Sequence, residues 1–447
     1  MSDDEADPEL LELLRNSLGI KPKTNEITSE TKVLRDAEYI YDNAIDVAID
    51  RAGAVNAAEL IWQEMQRRSY SRTAWSEHEL HPKAEDEATL DFIFTMDLLN
   101  FSFWSELGED KRWSIEYREK RWTGYWSLVA ALQRALDEGF PITSPSFWLP
   151  TEEEKPDATD IEAIPNDSQD PKEQTVDASS TETAASEVEQ PPNPLKSDDV
   201  KEVDSPVEGA LTIHKDSGTG EQPHTSVEEA TLMLHLTEDS MRHIFRGKGE
   251  EDMPLLHQRL DVLREAGQVL HDTFNGSVAN LVRSADKSAG KLTNLLAHHF
   301  ACFRDESTFD RKKVRFLKRP QIFVADLWAA FDGQSYGEFH DIDHLTMFAD
   351  YRVPQQLHSL GCLSYSPKLD YVIRTKQMIE SGSSWECQLR GCSIWVVELI
   401  RRQIVAAHPE AEVNAVLIDF FLYDLAKERE KEGAEAIPHH RTRSIWY

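Results

Sequence analysis

The sequence predicts a mainly α-helical protein: a single helical domain interrupted by a long, disordered acidic insertion. Three observations point that way. Apolar residues recur at three- and four-residue steps in several segments, strand-like alternation is scarce, and one acid-rich stretch breaks an otherwise apolar-dense chain. Thr123 to Glu138 places Trp126, Val129, Leu132 and Leu136 along one helical face, and Gly139 and Pro141 stop it. A second helix covers about Val262 to Phe274, and a third runs from Ser393 to Ala407 with Ile394, Val397, Ile400 and Ile404 in line. Asn414 is placed to cap a further helix through Val416, Leu417, Phe420, Phe421 and Leu425. That helix is apolar nearly all round, so it is expected to be buried. The alternation from Trp385 to Arg390 is the one weak strand signal.

Between Thr151 and Thr225 roughly 20 acidic residues stand against 5 basic ones, with almost no aromatics. Such a stretch cannot bury enough apolar surface to offset its chain entropy. The expected organisation is a disordered tail at 1–32, a helical domain built from 33–150 and 227–447, and a disordered insertion at 151–226. The 447-residue chain carries a formal charge of −33, which argues against tracking along a nucleic acid. One small anionic ligand needs only a few local cations. Cys302, Cys362, Cys387 and Cys392 form no CxxC pair or zinc spacing and read as reduced thiols. The acidic start Met1-Ser2-Asp3-Asp4-Glu5 is unlike a signal peptide, and no apolar run has the length of a membrane span. The expectation is a soluble, cytoplasmic protein.

Two motifs fail on inspection. Ala285 to Leu292 echoes a phosphate-binding loop, but Ala stands where the first Gly must turn and Leu where a hydroxyl should meet magnesium. His340-Asp341-Ile342-Asp343-His344 would put two histidines on one helical face for a metal. A polar helix start with Asp capping is the preferred reading, and no metal or organic cofactor is expected.

Other stretches are distinctive. Leu99-Asn100-Phe101-Ser102-Phe103-Trp104 is followed by Thr123-Gly124-Tyr125-Trp126-Ser127-Leu128 and by Ala135 to Ser144. Later come Leu345-Thr346-Met347-Phe348-Ala349-Asp350-Tyr351-Arg352-Val353-Pro354-Gln355, then Glu386 to Arg390, and the tail Pro438 to Ile445. Together, over roughly 33–148 and 227–447, these resemble the queuosine salvage family of queuosine 5′-phosphate N-glycosylase/hydrolases. The resemblance implies an all-α fold similar in plan to the helix-hairpin-helix DNA glycosylases. It also implies hydrolysis of queuosine 5′-phosphate to release queuine for tRNA modification, with no membrane partner and no stable nucleic-acid binding. Gln388 stands where family members often carry Glu, and Phe420 where Tyr is common.

The chemistry sets requirements. Breaking an N-glycosidic bond builds positive charge on the ribose, which a carboxylate stabilises or attacks. The leaving heterocycle needs a proton or hydrogen bonds, the flat base an aromatic face, and the phosphate Arg or Lys. Asp419 and Asp424 lie in the apolar C-terminal helix, where a carboxylate is costly without a partner or a task. Five residues apart, they stand about 140° round the helix and could border one pocket only from opposite edges. By resemblance, Asp341, Asp419 and Asp424 match acidic pocket positions, His78 a pocket histidine and Phe339 a stacking residue.

The catalytic expectation therefore falls on Asp341 or Asp424. Substrate binding is expected from His78, Phe339, Asp419, Phe420, Lys318 and Arg352. Structural roles compete. Asp419 and Asp424 could pair with Arg390 or a tail arginine, Arg352 could anchor a turn before Pro354, and Lys318-Arg319 could be a solvated loop pair. Trp104, Tyr125 and Trp126 are expected in the core. Two other functions stay open. One is a helix-hairpin-helix glycosylase acting on nucleic acid, which needs a basic surface not evident here. The other is a non-catalytic queuine carrier or adaptor whose acidic insertion recruits partners.

Overall fold

The computed structural model describes residues 27–150, 234–433 and 437–447. The expected insertion at 151–226 and the first twenty-six residues of the expected tail lie outside the described residues. The described residues are mainly helical, and all belong to one compact unit.

The first part contributes α1 (Val33–Asn43), β1 (Val47–Ile49), α2 (Arg51–Arg67), the short α3 (Ala74–Glu77) and α4 (Glu87–Leu98). A hairpin of β2 (Ile115–Tyr117) and β3 (Lys120–Trp122) leads into α5 (Tyr125–Asp137). Its two-residue turn, Arg118 and Glu119, has φ of 50° and 61°, the left-handed pair that matches strand twist. The second part runs through α6 (Glu238–Ile244), α7 (Leu256–Phe274), α8 (Val278–Arg283) and α9 (Ala289–His299). A second hairpin, β4 (Glu306–Phe309) and β5 (Lys312–Arg315), precedes α10 (Lys318–Ala330). Then come α11 (Arg352–Ser359), β6 (Leu363–Tyr365), α12 (Pro367–Arg374), α13 (Ser384–Ala407) and α14 (Ala415–Lys431).

The 24-residue α13 is the central strut, packed along α1 and α2 and meeting α11 and α14. It is capped by Ser383, whose side chain accepts from the Glu386 N–H, and starts at Ser384, nine residues earlier than its apolar stripe indicated. The alternation at Trp385–Arg390 is thus the first turns of a helix, not a strand. Glu386 and Arg390 are an ion pair one turn apart there. Asn414 caps α14 as expected, accepting from Leu417 at 2.9 Å. β6 pairs antiparallel with β1, bringing Tyr365 opposite Val47.

Residues 28–30, placed in the tail on sequence grounds, pack against α9. Asn294 donates to the carbonyls of Thr28 and Glu30 at 2.8 and 3.0 Å. Gly290 makes the approach possible, since a Cβ there would collide with the Ser29 carbonyl.

Candidate active site

A cavity of about 590 Å³ opens where both parts of the chain meet. One wall is the segment after α4 that carries Asn100, Phe101, Phe103 and Trp104. Two fully buried arginines hold it. Arg259 of α7 donates to the carbonyls of Leu99 and Phe101, and Arg319 of α10 donates to that of Leu98. Their guanidinium groups lie 4.1 and 4.9 Å from the Phe101 ring centre. Trp104 is fixed by its indole N–H to the Thr442 carbonyl at 2.9 Å and by the Arg443 guanidinium 3.6 Å over its ring. The distinctive sequence Leu99 to Trp104 is therefore a cavity wall held by charge-assisted bonds to its backbone.

Trp75, His78, His81, Tyr125 and Trp126 make an aromatic group. His78 stacks on Trp126 with centroids 3.3 Å apart, and His81 on Trp75 at 3.8 Å. Burial lowers the two histidines to about 4 and about 3, so both rings are neutral near pH 7. His78 Nδ1 accepts from the Leu80 N–H at 3.2 Å, which leaves Nε2–H as its donor. His81 Nδ1 faces the Trp75 carbonyl, so it carries the proton and Nε2 accepts from the Tyr125 hydroxyl at 2.8 Å.

Carboxylates form a second group. Asp419 is buried and accepts from the Phe348 N–H at 2.9 Å. Burial, and then the charge of Asp350, drive its pKa well above the usual carboxylate range. Asp350 is held by the Arg352 and Val353 N–H groups, at 2.8 and 2.9 Å, at the start of α11. Asp424 accepts from the Tyr70 hydroxyl at 2.7 Å; burial raises its pKa and that bond opposes the rise. Lys318 is buried among them. Burial lowers its pKa, while Asp350 is the strongest influence raising it.

Cations form the third group. Arg352 and Lys427 both grip Glu430, at 2.6 and 2.9 Å, and outweigh its burial to hold it at about 2. Burial and the neighbouring Arg352 and Arg112 charges lower the Lys427 pKa despite Glu430. Gly124, at φ +63°, takes a backbone conformation that favours glycine, and the Lys427 ammonium lies 3.9 Å from where a Cβ would stand. On α14 the cavity-lining positions Phe420, Tyr423, Asp424, Lys427 and Glu430 recur at helical steps, while the core-packed residues of the helix are concentrated in its first half, Ala415 to Leu422.

Of the residues proposed from sequence, His78, Lys318, Arg352, Asp419, Phe420 and Asp424 line this cavity. Asp341 and Phe339 do not. Asp341 is buried elsewhere, its carboxylate accepting from the Ser288 hydroxyl at 2.7 Å and from the N–H groups of Ala289 and Gly290. It caps α9 from outside, so the helix start that echoes a phosphate loop already holds an anion from its own chain. Its partners leave it no part in the cavity chemistry, which corrects the catalytic expectation for this residue. The stretch 340–344 contains a short 3-10 turn, Ile342–His344, in place of a histidine-bearing helix. Among the described residues no group of three His, Cys, Asp or Glu side chains is arranged to hold a metal.

Other expectations change too. Lys318 and Arg319 open α10 and are buried, not solvated on a loop. Arg390 pairs with Asp305 and Glu386 and leaves Asp419 and Asp424 to the cavity. Trp104, Tyr125 and Trp126 line the cavity as well as packing inside. Tyr70, Trp75, His81, Asp326, Lys427 and Glu430 were not singled out from sequence. The step pattern from Phe420 to Glu430 was the available signal for the last two. Among the described residues no helix is long and apolar enough to cross a membrane.

A helical body enclosing a cavity with stacked aromatics, carboxylates and clustered cations defines a protein built around a flat, charged small molecule. The queuosine salvage protein family profile matches residues 80–171 and 221–447. The queuosine 5′-phosphate N-glycosylase/hydrolase of Schizosaccharomyces pombe is 37% identical over 93% of this chain and 100% of its own. Proteins of the same name from Mus musculus and Sphaerobacter thermophilus are 34% and 31% identical, over 92% and 93% of this chain and 97% of each of theirs. The chain belongs to the queuosine salvage protein family.

Proposed function

We propose that this protein hydrolyses the N-glycosidic bond of queuosine 5′-phosphate, releasing queuine and ribose 5-phosphate with water as the acceptor. The supporting observation is the grouping inside one cavity of rings for a base, carboxylates for a sugar cation and cations for a phosphate. The deazaguanine stacks in the aromatic group, where His78 Nε2–H is a fixed donor. The 5′-phosphate meets Arg352, Lys427 and Arg112, whose mutual repulsion an added dianion relieves. Asp350 shelters the ribose cation, with Lys318 beside it. Burial, and then the charge of Asp350, favour the protonated form of Asp419, which makes it a hydrogen-bond donor beside that carboxylate. Asp424, oriented by Tyr70, is the second carboxylate within the cavity.

The helix-hairpin-helix-like plan implied by the family resemblance belongs to the same reading, with a free nucleotide in place of a polymer as substrate. Incubating the full chain with queuosine 5′-phosphate and following free queuine by chromatography tests it. Stoichiometric appearance of queuine and ribose 5-phosphate over many turnovers is expected. Retention of intact nucleotide would make the protein a carrier, and salt-sensitive binding to tRNA or DNA with base release would make the polymer its substrate.

A further inference from the structure

A second buried acidic pair adjoins these groups. Asp326 of α10 lines the cavity and is 4% exposed. Behind it Asp97, on the last turns of α4, is wholly buried, and its Oδ2 has no hydrogen-bond partner. Two other buried acids are better supplied: Asp341 has a hydroxyl and two N–H groups, and Asp305 has Arg390 and the Lys318 N–H. No backbone N–H or hydroxyl among the described residues donates to Asp326. The Trp75 indole N–H, which meets no other acceptor, is the neighbouring donor that favours its charged form. A carboxylate left so poor in donors keeps its proton.

Its surroundings fix where that proton would go. Trp75 and Tyr125 of the aromatic group line the cavity with Asp326 and interact with it electrostatically, and His81 is bonded to that tyrosine. Asp419 of α14 and Lys318 of its own helix line the same cavity and are also within electrostatic reach of it. A nucleotide with its base against the rings and its sugar at the carboxylates carries its glycosidic nitrogen past this position. We infer that Asp326, backed by Asp97, is the catalytic acid that protonates the departing heterocycle. The role presupposes the glycosidase function proposed above.

The step balances. The C1′–N bond breaks with its electron pair going to the heterocycle, and the carboxyl proton of Asp326 moves to the departing nitrogen. Water adds to C1′ and loses a proton, which restores the acid. Burial pushes Asp326 up to about 7, with Trp75 and Lys318 opposing, and the adjacent charge of Asp326 joins burial in raising Asp97. The pair can therefore hold its protons at neutral pH, as paired carboxyls do. The acid acts only when protonated, so kcat should fall as pH rises through about 7.

The test is Asp326→Asn in the full chain, assayed for queuine release and for binding of free queuine. The expected result is a kcat lower by about a hundredfold or more, with KM and the queuine Kd within about threefold. The falling limb of kcat near neutral pH should vanish from the residual activity. Full kcat, a loss confined to KM, or a limb that persists in the variant would overturn the assignment. Should the variant fail to fold, the wild-type profile decides: no falling limb between pH 6 and 8 also overturns it. A wild type that releases no queuine defeats the proposed function, whereas an active wild type matched by Asp326→Asn defeats this inference alone.

Discussion

Asp341 and Asp419 are almost equally hidden, at 8% and 6% exposure, yet they occupy opposite situations. Asp341 is saturated. A serine hydroxyl and two N–H groups at a helix start take up its lone pairs, and it stands outside the cavity. Asp419 has one N–H, from Phe348, and shares its neighbourhood with Asp350, Lys318 and Asp326. Burial of an acid in apolar sequence therefore does not separate structure from chemistry. What separates them is whether the protein itself completes the hydrogen bonding.

That contrast can be broken first at the carboxylate said to shelter the cation. Asp350→Asn should lower kcat by about 100- to 1000-fold with the fold intact, measured by queuine release and circular dichroism. A variant retaining most of its rate would move the role to Asp424. A middling effect is expected where the phosphate is bound. Lys427→Met should raise KM for queuosine 5′-phosphate roughly tenfold or more while leaving the nucleoside queuosine unaffected. Equal changes for both substrates would remove Lys427 from the phosphate site. The smallest change in rate belongs to the saturated acid. Asp341→Ala should leave kcat within about twofold and cost about 1–2 kcal/mol of stability, read from chemical denaturation. A collapse of activity at full stability there would restore Asp341 to the reaction.

Much of the helical framework was legible because it rests on local rules. The Asn414 cap, the stop after Glu138 and the stripe through Ile394 and Ile404 each depend on neighbours in sequence. The start of α13 was not legible. A helix buried on all sides has no polar face to mark it, so Trp385–Arg390 alternates by accident of composition. Trp104, Tyr125 and Trp126 were read as core because a cavity wall and a core demand the same side chains. Only coordinates reveal that one side of each ring faces an opening. Asp341 and Asp424 looked alike for a similar reason: one is answered by Ser288, fifty-three residues away in sequence, the other by Tyr70, 354 residues away. Residue spacing within a segment carries no trace of such partners.

The joining of Trp104 to Thr442 and of Tyr70 to Asp424 spans 338 and 354 positions. The chamber is consequently a property of the finished chain, since neither the residues before the acidic stretch nor those after it enclose a volume by themselves. A nascent or truncated product has nowhere to put the nucleotide. Any ligand that does settle there clasps early and late segments together, and so protects the whole body against unfolding in proportion to its occupancy.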